Sequence, residues 1–296
     1  MAIANLDPLL KLTRIFFSSS LQNQLRTLVK RTHWRDGKEY AQNALGTLSI
    51  DEPALRFGAT VFTTLRVYGG DLAHPLTQWQ AHCDRLRNSI CDFNWHPPDW
   101  QRVREGTEIL KETYPILRIT LFPDGQEWIS GQNLPLDLSD RQLKGTPAWV
   151  AGDSYQRSLP GYKTGNYLAC WLALQAAQRQ GATEAILTNT QGHWLETSTG
   201  NLWGWDKNGW WTPPLSAGIL PGTVRSRLIQ HLEAQQIPVR EAPWTPELTQ
   251  QLEAIAYSNS VVELVPLCTV LMRETRLEFN PYHPALTDMR SLFDLP

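Results

Sequence analysis

The chain has 296 residues, of which 42% are hydrophobic and 19% charged. It is therefore long enough to bury a large core and to form two lobes. The formal net charge of −2 provides no basic field for nucleic acid or for an anionic membrane surface, and no apolar run reaches the length of a membrane span. The four cysteines lack the paired spacing of a metal site, so we expect reduced thiols, no bound metal and a cytoplasmic location.

Residues 1–30 differ from the rest of the sequence. An apolar run with two basic residues, at 9–17, precedes three serines and an amphipathic stretch. The apolar run is too short for a secretory signal and has no small-residue cleavage site. Asp7 and the short length also argue against a transit peptide. We expect an extension that lies on the surface of the fold or is partly disordered.

The following part of the sequence predicts strands and helices in alternation. The Asp-Gly pair at 36–37 predicts a hairpin turn. Residues 57–70 are rich in β-branched and aromatic side chains and predict a strand that ends in a glycine turn. Since side chains alternate along a strand, Phe62, Thr64 and Arg66 share one face. That face is either exposed to solvent or forms the wall of a polar cavity.

The periodicity also divides the chain into lobes. Further predicted elements are helices at 77–89 and 99–113, strands at 116–122 and 144–152, and a turn and strand within 124–141. The apolar periodicity lapses over 152–159. We therefore expect an N-terminal extension (1–30), a small α/β lobe (31–152) and a large lobe (153–296).

One arginine of the first lobe has two interpretations. Arg85 lies in the sequence HCDRL of the helix predicted over 77–89. It is either an ordinary surface residue or it turns into the interface between the lobes. In the second case its guanidinium is suited to binding a phosphate group.

The second lobe opens with residues 161–167, which read GYKTGNY. Lys163 lies between an irregular run and a helix predicted over 167–180, with Gly181 at its end. A lysine on such a loop is either a solvated charge or a partly buried amine. Burial would lower its pKa and make the amine available for Schiff-base chemistry.

A glutamate follows at the end of a predicted strand. Glu196 precedes a Ser/Thr/Gly turn at 197–200. A buried carboxylate needs a cationic or proton-sharing partner, which a protonated pyridine nitrogen would provide. The alternative is a carboxylate that caps a turn or helix.

Two further segments complete the pattern. Residues 222–224 are predicted to begin a helix that runs to about residue 235, and unpaired N–H groups at such an N-terminus can bind phosphate. A plain Pro-Gly turn before a surface helix is the alternative. Residues 255–267 are predicted to form a strand with a polar Ser-Asn-Ser turn at 258–260.

In this order the motifs resemble the fold-type IV enzymes that use pyridoxal phosphate (PLP), the class IV aminotransferase family. The resemblance extends from about Trp34 to the C-terminus. It implies a mixed α/β fold of two lobes with PLP in the cleft between them. It also implies a homodimer in which the partner chain helps to close the site.

The resemblance also implies roles for particular residues. Lys163 would bind PLP through a Schiff base and move the substrate proton, and Glu196 would keep the pyridine nitrogen protonated. The remaining cofactor-binding residues would be Arg85, Thr223, Val224, Asn201 and Ser260. The family often has Gly-Ile-Thr where this chain has Gly-Thr-Val at 222–224, so one threonine hydroxyl is missing and the backbone donors remain.

Within the family, the pattern FGxxxFTTxRV at 57–67 is most similar to the aminodeoxychorismate lyases. The turn at 258–260 is similar to their Asn-Ser element, whereas Gly-Ala-Thr at 58–60 replaces the usual Gly-Asp-Gly. The resemblance implies a lyase that converts 4-amino-4-deoxychorismate to pyruvate and 4-aminobenzoate, for folate biosynthesis. The alternative is an aminotransferase of branched-chain or D-amino acids. A PLP-fold protein that only binds is disfavoured because Lys163 and Glu196 are both present.

The lyase interpretation names residues for the substrate. Thr64 is the candidate for assisting the leaving group or positioning the substrate, and Phe62 shares its face. A ring with two carboxylates also requires cations or backbone donors. Arg66 and Asn259 are the candidates for that role.

Overall fold

A computed structural model describes residues 32–41, 48–273 and 275–294. The predicted N-terminal extension, residues 1–30, lies outside the described residues. The described chain has a mixed α/β fold with two sheets, which confirms the predicted fold class.

The first sheet is antiparallel and has five strands within the described ranges, in the spatial order β2-β1-β5-β4-β3. These strands are β1 (Thr32–Arg35), β2 (Lys38–Ala41), β3 (Val61–Arg66), β4 (Ile116–Leu121) and β5 (Glu127–Gln132). The helices of this part are α1 (Pro53–Phe57), α2 (Trp79–Asp92) and α3 (Trp100–Lys111). The predicted hairpin turn joins β1 and β2, with positive φ at both Asp36 and Gly37.

The strand predicted over 57–70 is shorter than expected. It begins at Val61, because the preceding residues form helix α1. Pro53 occupies the first turn of α1, where no N–H is needed, and Gly58 ends the helix with φ of 65°. Both residues are local signals of a helix, but the β-branched residues that follow led to the prediction of a strand from residue 57.

The predicted alternation along β3 is observed. Val61 and Leu65 pack in a core with Leu86 of α2 and with Leu117 and Ile119 of β4. Since this face is fully occupied, the other face of β3, with Phe62, Thr64 and Arg66, points away from the core.

The second sheet has nine strands in the described part, in the order β11-β10-β9-β12-β13-β6-β7-β8, with β14 paired to β13. The strands are β6 (Thr146–Val150), β7 (Glu184–Thr188), β8 (Trp194–Thr197), β9 (Asn201–Asp206), β10 (Gly209–Thr212), β11 (Val239–Glu241), β12 (Ala254–Asn259), β13 (Glu263–Leu271) and β14 (Arg276–Glu278). Because β8 also pairs with β9, the sheet closes into a ring at the pair Glu196–Asn201.

The helices of this second part are α4 (Leu138–Lys144), α5 (Leu168–Arg179), α6 (Thr223–Ala234), α7 (Pro246–Thr249) and α8 (Pro284–Arg290). Single 3₁₀ turns lie at Asp153–Tyr155, Leu215–Ala217 and Ser291–Asp294. Helices α5 and α6 correspond closely to the predicted ones. Across the described segments, every helix is too short or too polar to cross a bilayer.

Three assignments made from the sequence need correction. Strand β6, which the sequence assigned to the first lobe, pairs in parallel with β7 and β13 and so belongs to the second sheet. Helix α4 was missed, because its many polar residues are also typical of a loop that connects two strands. The strand predicted over 255–267 is two antiparallel strands, β12 and β13, joined by a tight turn.

The loop before α5 crosses from the second sheet to the first. The Phe62 N–H donates to the Lys163 carbonyl at 2.8 Å, and the Gly165 N–H donates to the Thr60 carbonyl at 2.7 Å. A Cβ at Gly165 would lie 2.2 Å from Thr60 Oγ1, so only glycine allows this approach. Lys163 is thereby held against β3.

Candidate active site

A cavity of about 580 Å³ opens between the two sheets. It is lined by all of the predicted site residues except Arg66: Phe62, Thr64, Arg85, Lys163, Glu196, Asn201, Thr223, Val224, Asn259 and Ser260. The motifs, which are far apart in the sequence, therefore come together at one cavity.

The amine of Lys163 lies in an aromatic and cationic environment. Its Nζ is 3.1 Å from Tyr167 Oη and 4.7 Å from the ring centroids of both Phe62 and Tyr167. Burial, followed by the charges of Arg85 and Arg157, lowers the pKa of Lys163 to about 7. At neutral pH a large fraction of the amine is therefore unprotonated and nucleophilic.

Glu196 is paired with an arginine that the sequence did not single out. Arg157 Nη1 lies 2.7 Å from Glu196 Oε1, and the other carboxylate oxygen accepts the Leu220 N–H at 3.1 Å. Burial is the largest influence and opposes the charge of Arg157, but Glu196, Tyr167 and Cys170 together outweigh it and raise the pKa of Arg157. The predicted carboxylate is thus buried, oriented and electrostatically compensated.

Asn201 supports the floor of the cavity. Its Nδ2 donates to the Leu220 carbonyl at 2.9 Å. Its Oδ1 would lie 2.1 Å from a Cβ at Gly222, so only glycine fits at the start of α6. The side chain of Asn201 therefore fixes the segment that leads into α6.

Arg85 belongs to a short hydrogen-bonded series. Its Nη2 donates to Thr63 Oγ1 at 2.6 Å, and Thr63 Oγ1 lies 2.5 Å from His82 Nδ1. Because Thr63 accepts from Arg85, its own proton is free to bond to His82 Nδ1. Burial, with the charges of Arg85 and Lys163, holds the pKa of His82 well below its usual range, so His82 is a neutral acceptor.

The N-terminus of α6 lies on the same cavity. The first backbone N–H groups of a helix, here from Thr223 onward, have no partner within the helix, and among the described residues no side chain caps them. Thr223 Oγ1 lies 3.1 Å from Ser260 Oγ, which adds two hydroxyls at this position. Together with the helix dipole, these groups form a seat for an anion.

The wall formed by β3 and β4 carries a second cation. Arg118 lies directly opposite Thr64 on the adjacent strand, and its guanidinium carbon is 3.5 Å from the ring centroid of Phe62. Among the described residues, neither the Thr64 hydroxyl nor the Arg118 guanidinium has a hydrogen-bond or ion-pair partner. Both groups line the cavity and are available to a ligand.

Two residues predicted to bind substrate have other contacts. Arg66 does not line the cavity. Its Nη1 is 2.7 Å from Glu263 Oε1 instead, because β3 carries it beyond the cavity to the β12–β13 turn. Asn259 lines the cavity, but its Oδ1 accepts the N–H groups of Val261 and Val262, at 2.9 and 3.0 Å.

The sequence did not identify Tyr167, Arg118 and Arg157 as site residues. Tyr167 had a signal, since it is an aromatic residue four positions after the lysine. Arg118 could have been found by pairing the two predicted strands, because it then faces Thr64. Arg157 had no signal, because it lies in an irregular run without apolar periodicity.

A family profile described as "Amino-transferase class IV" matches residues 60–270. The chain belongs to this family. The class IV aminotransferases are enzymes that use pyridoxal phosphate, and this confirms the cofactor predicted from the motifs.

Two curated proteins are similar to the chain over most of their length. The aminodeoxychorismate lyase of Vibrio harveyi is 24% identical over 83% of this chain and 94% of its own. The branched-chain-amino-acid aminotransferase of Escherichia coli K12 is 23% identical over 80% of this chain and 81% of its own. The PLP-bound structure of a hypothetical aminotransferase from Mycobacterium tuberculosis has the same fold, with a TM-score of 0.73, 20% identity and coverage of 88% and 97%.

The donor set of the cavity fits the cofactor of the class IV family. Arg85 Nε is buried and lacks a partner within the described segments, and the pKa of Arg85, lowered to about 10 by burial and by Arg157, keeps it charged at neutral pH. This cation and the uncapped terminus of α6 suit a phosphate group. A buried carboxylate and a nucleophilic amine suit the pyridine nitrogen and the aldehyde.

Proposed function

We propose that this class IV enzyme is a lyase that converts 4-amino-4-deoxychorismate to 4-aminobenzoate and pyruvate. The observation that carries this proposal concerns the Thr64 hydroxyl and the Arg118 guanidinium on the cavity wall, which have no hydrogen-bond or ion-pair partner among the described residues. The Thr64 hydroxyl can donate a proton, and the Arg118 guanidinium can bind a substrate carboxylate. Both groups lie on the same side of the cavity as Lys163. The similarity to the V. harveyi lyase, over 94% of that protein, supports the same activity.

In this proposal, five groups hold PLP. Lys163 would hold the aldehyde, Glu196 would accept a hydrogen bond from the pyridine nitrogen, and Arg85 would bind the phosphate with the α6 terminus and Ser260. When bound, PLP withdraws electrons from the substrate carbon that carries the amino group. Arg157 orients Glu196, and the Thr63–His82 pair orients Arg85.

Lys163 then acts as the proton carrier. With a pKa of about 7, its amine can both accept and return a proton at neutral pH. Tyr167 Oη, 3.1 Å from Nζ, keeps the amine in the cavity. Burial raises the pKa of Tyr167, so its hydroxyl stays protonated.

Residues of the cavity wall select the substrate of the proposed lyase. Arg118 binds one of the two carboxylates, which is the role predicted for Arg66, and the Phe62 ring packs against the substrate ring. Thr64 assists departure of the enolpyruvyl group or positions the substrate for it. Aromatisation of the remaining ring supplies the driving force for pyruvate release.

The second candidate is an aminotransferase of branched-chain or D-amino acids. It is favoured by the almost equal identity to the E. coli branched-chain-amino-acid aminotransferase, 23% against 24% for the lyase. The residues that hold PLP would be the same. Only the use of Thr64 and Arg118 would differ.

We also propose that the enzyme is a cytoplasmic homodimer whose partner chain helps to close the site. Helix α5 exposes three large apolar side chains, Leu168, Trp171 and Leu172. Trp171 also lines the cavity. A second copy that packs against α5 would cover these side chains and one end of the cavity.

The experiment that tests the function measures the products of the purified holoenzyme. Incubated with 4-amino-4-deoxychorismate and no keto acid, it is expected to release pyruvate and 4-aminobenzoate in equal amounts. Lys163→Ala is the control and is expected to release neither. Absence of pyruvate, with amino transfer from leucine or a D-amino acid to 2-oxoglutarate, would replace the lyase with an aminotransferase.

A further inference from the structure

The turn between β12 and β13 contains an unusual residue. Asn259 pairs with Glu263 across a three-residue loop, and Glu263 has φ of 61°. In hairpins of this kind the left-handed position is normally a glycine, which adopts it without strain. A glutamate at this position therefore requires an explanation from its side chain.

The carboxylate of Glu263 accepts three hydrogen bonds. Arg66 Nη1 donates to Oε1 at 2.7 Å, Tyr68 Oη donates to the same oxygen at 2.8 Å, and Gln142 Nε2 donates to Oε2 at 2.8 Å. The Arg66 guanidinium also lies 4.7 Å from the Tyr68 ring centroid. Only 21% of the Arg66 side chain and 12% of the Glu263 side chain are exposed, so the pair is largely shielded from solvent screening.

This contact joins two opposite walls of the cavity. Arg66 lies on the same face of β3 as Phe62 and Thr64, which form one wall. Glu263 ends the turn whose other residues, Asn259 and Ser260 among them, form the opposite wall. The Arg66–Glu263 ion pair therefore links the two sheets beside these walls.

We propose that Glu263 is a positioning residue, which with Arg66 and Tyr68 sets the separation of the two cavity walls and thereby the affinity for substrate. The inference rests on the proposed function only in assuming that the cavity binds an amino substrate, so it holds for a lyase or an aminotransferase. It assigns Arg66 a role in the shape of the site rather than in direct contact with the substrate.

The kinetic test uses the holoenzyme and three variants. Arg66→Met and Glu263→Gln break the ion pair, and Glu263→Gly removes the carboxylate while relieving the left-handed backbone. Each is expected to raise KM for the amino substrate at least fivefold, with kcat and the PLP dissociation constant within threefold of wild type. Because the two residues act through one contact, the Arg66→Met/Glu263→Gln double variant is expected to be no worse than either single one.

A matched control breaks an ion pair elsewhere. Arg104→Met removes the partner of Glu108 in an exposed pair of 3.1 Å on α3, and its KM is expected to equal that of wild type. Unchanged KM in Arg66→Met and Glu263→Gln would overturn the proposal. A wild-type KM in Glu263→Gly would overturn it too, because the position would then serve the turn alone.

A second readout does not depend on turnover. Hydrogen–deuterium exchange of the full-length holoenzyme is expected to show faster exchange of the amides at 259–263 in Arg66→Met, with α3 unchanged. Equal exchange in this segment would contradict the positioning role even if the enzyme were inactive on every substrate tried. If the wild-type enzyme released no pyruvate, the proposed lyase activity would be contradicted. The exchange result would still test the positioning role of Glu263.

Discussion

Arg157 Nη1 and Glu196 Oε1 lie 2.7 Å apart, and the two side chains are only 3% and 6% exposed. The same guanidinium donates to the carbonyls of Pro160 and Tyr162, at 2.9 and 2.5 Å. Arg157 thus ties the loop that carries Lys163 to the carboxylate on β8. Arg157 therefore links the position of the amine to that of the carboxylate.

Loss of Arg157 is expected to destabilise the protein strongly. Arg157→Met leaves the Glu196 carboxylate buried without a cation, which costs about 3–5 kcal/mol of unfolding free energy. Chemical denaturation of the apoprotein measures this change. Arg157→Lys, which keeps the charge but cannot make all three hydrogen bonds, is expected to fall between wild type and Arg157→Met.

A double variant separates the ion pair from general packing. If the loss comes from the unpaired carboxylate, Arg157→Met/Glu196→Gln will be more stable than Arg157→Met alone. A double variant that is less stable by the sum of the single effects would contradict this interpretation.

The pKa of Lys163 predicts a pH dependence of stability. In the folded apoprotein it is about 7, below the ordinary value of 10.5. Between these values the unfolded chain binds more protons than the folded one, so stability rises with pH, by at most about 1.4 kcal/mol per pH unit. Lys163→Met removes the group and is expected to show a smaller rise between pH 7 and 9. Parallel stability curves for the two proteins would contradict the lowered pKa.

Thr63 is expected to affect the phosphate site without touching the ligand. Thr63→Val leaves both Arg85 Nη2 and His82 Nδ1 without their shared partner, which costs about 1–3 kcal/mol. We expect roughly tenfold weaker PLP binding, measured by absorbance titration of the apoprotein. Thr120→Val on the adjacent strand β4 is the control, since its hydroxyl makes no hydrogen bond within the described segments and it does not line the cavity. Equal affinities for the two variants would refute the role of Thr63.

Thr64 distinguishes the chemistry of the proposed lyase from cofactor binding. Thr64→Val keeps the shape of the side chain and removes the hydroxyl. The rate of pyruvate release is expected to fall about 10²–10⁴-fold, with unchanged PLP affinity. Thr64→Ser should retain most of the activity. Full pyruvate release by Thr64→Val would remove Thr64 from the mechanism.

The parts of the site that the sequence predicted depend on local signals. The alternation along β3 placed Phe62 and Thr64 on one face, and the Gly-Thr-Val sequence at 222–224 marked the start of α6. Glu196 was recognised because it ends a strand before a turn. Such signals need only a few neighbouring residues, so a single sequence contains them.

The parts that were missed depend on contacts between distant segments. The alternation of side chains along β3 showed that Arg66 shares a face with Phe62 and Thr64. It did not show that Glu263, 197 positions later in the chain, binds Arg66. Likewise nothing near Arg157 indicates a carboxylate 39 positions away. The sequence placed strand β6 in the first lobe, because its partners, β7 and β13, come later in the chain. Ion pairs and strand pairs between distant segments determine these features, and a single sequence does not show which segments meet.

The most direct test of the account identifies the lysine that carries the cofactor. Borohydride reduction of the holoenzyme fixes PLP to the amine that holds it, and peptide mass analysis then locates the label. The account predicts one labelled lysine, Lys163, and no label in Lys163→Ala. A label on another lysine, or none in a preparation that retains the colour of bound PLP, would contradict it.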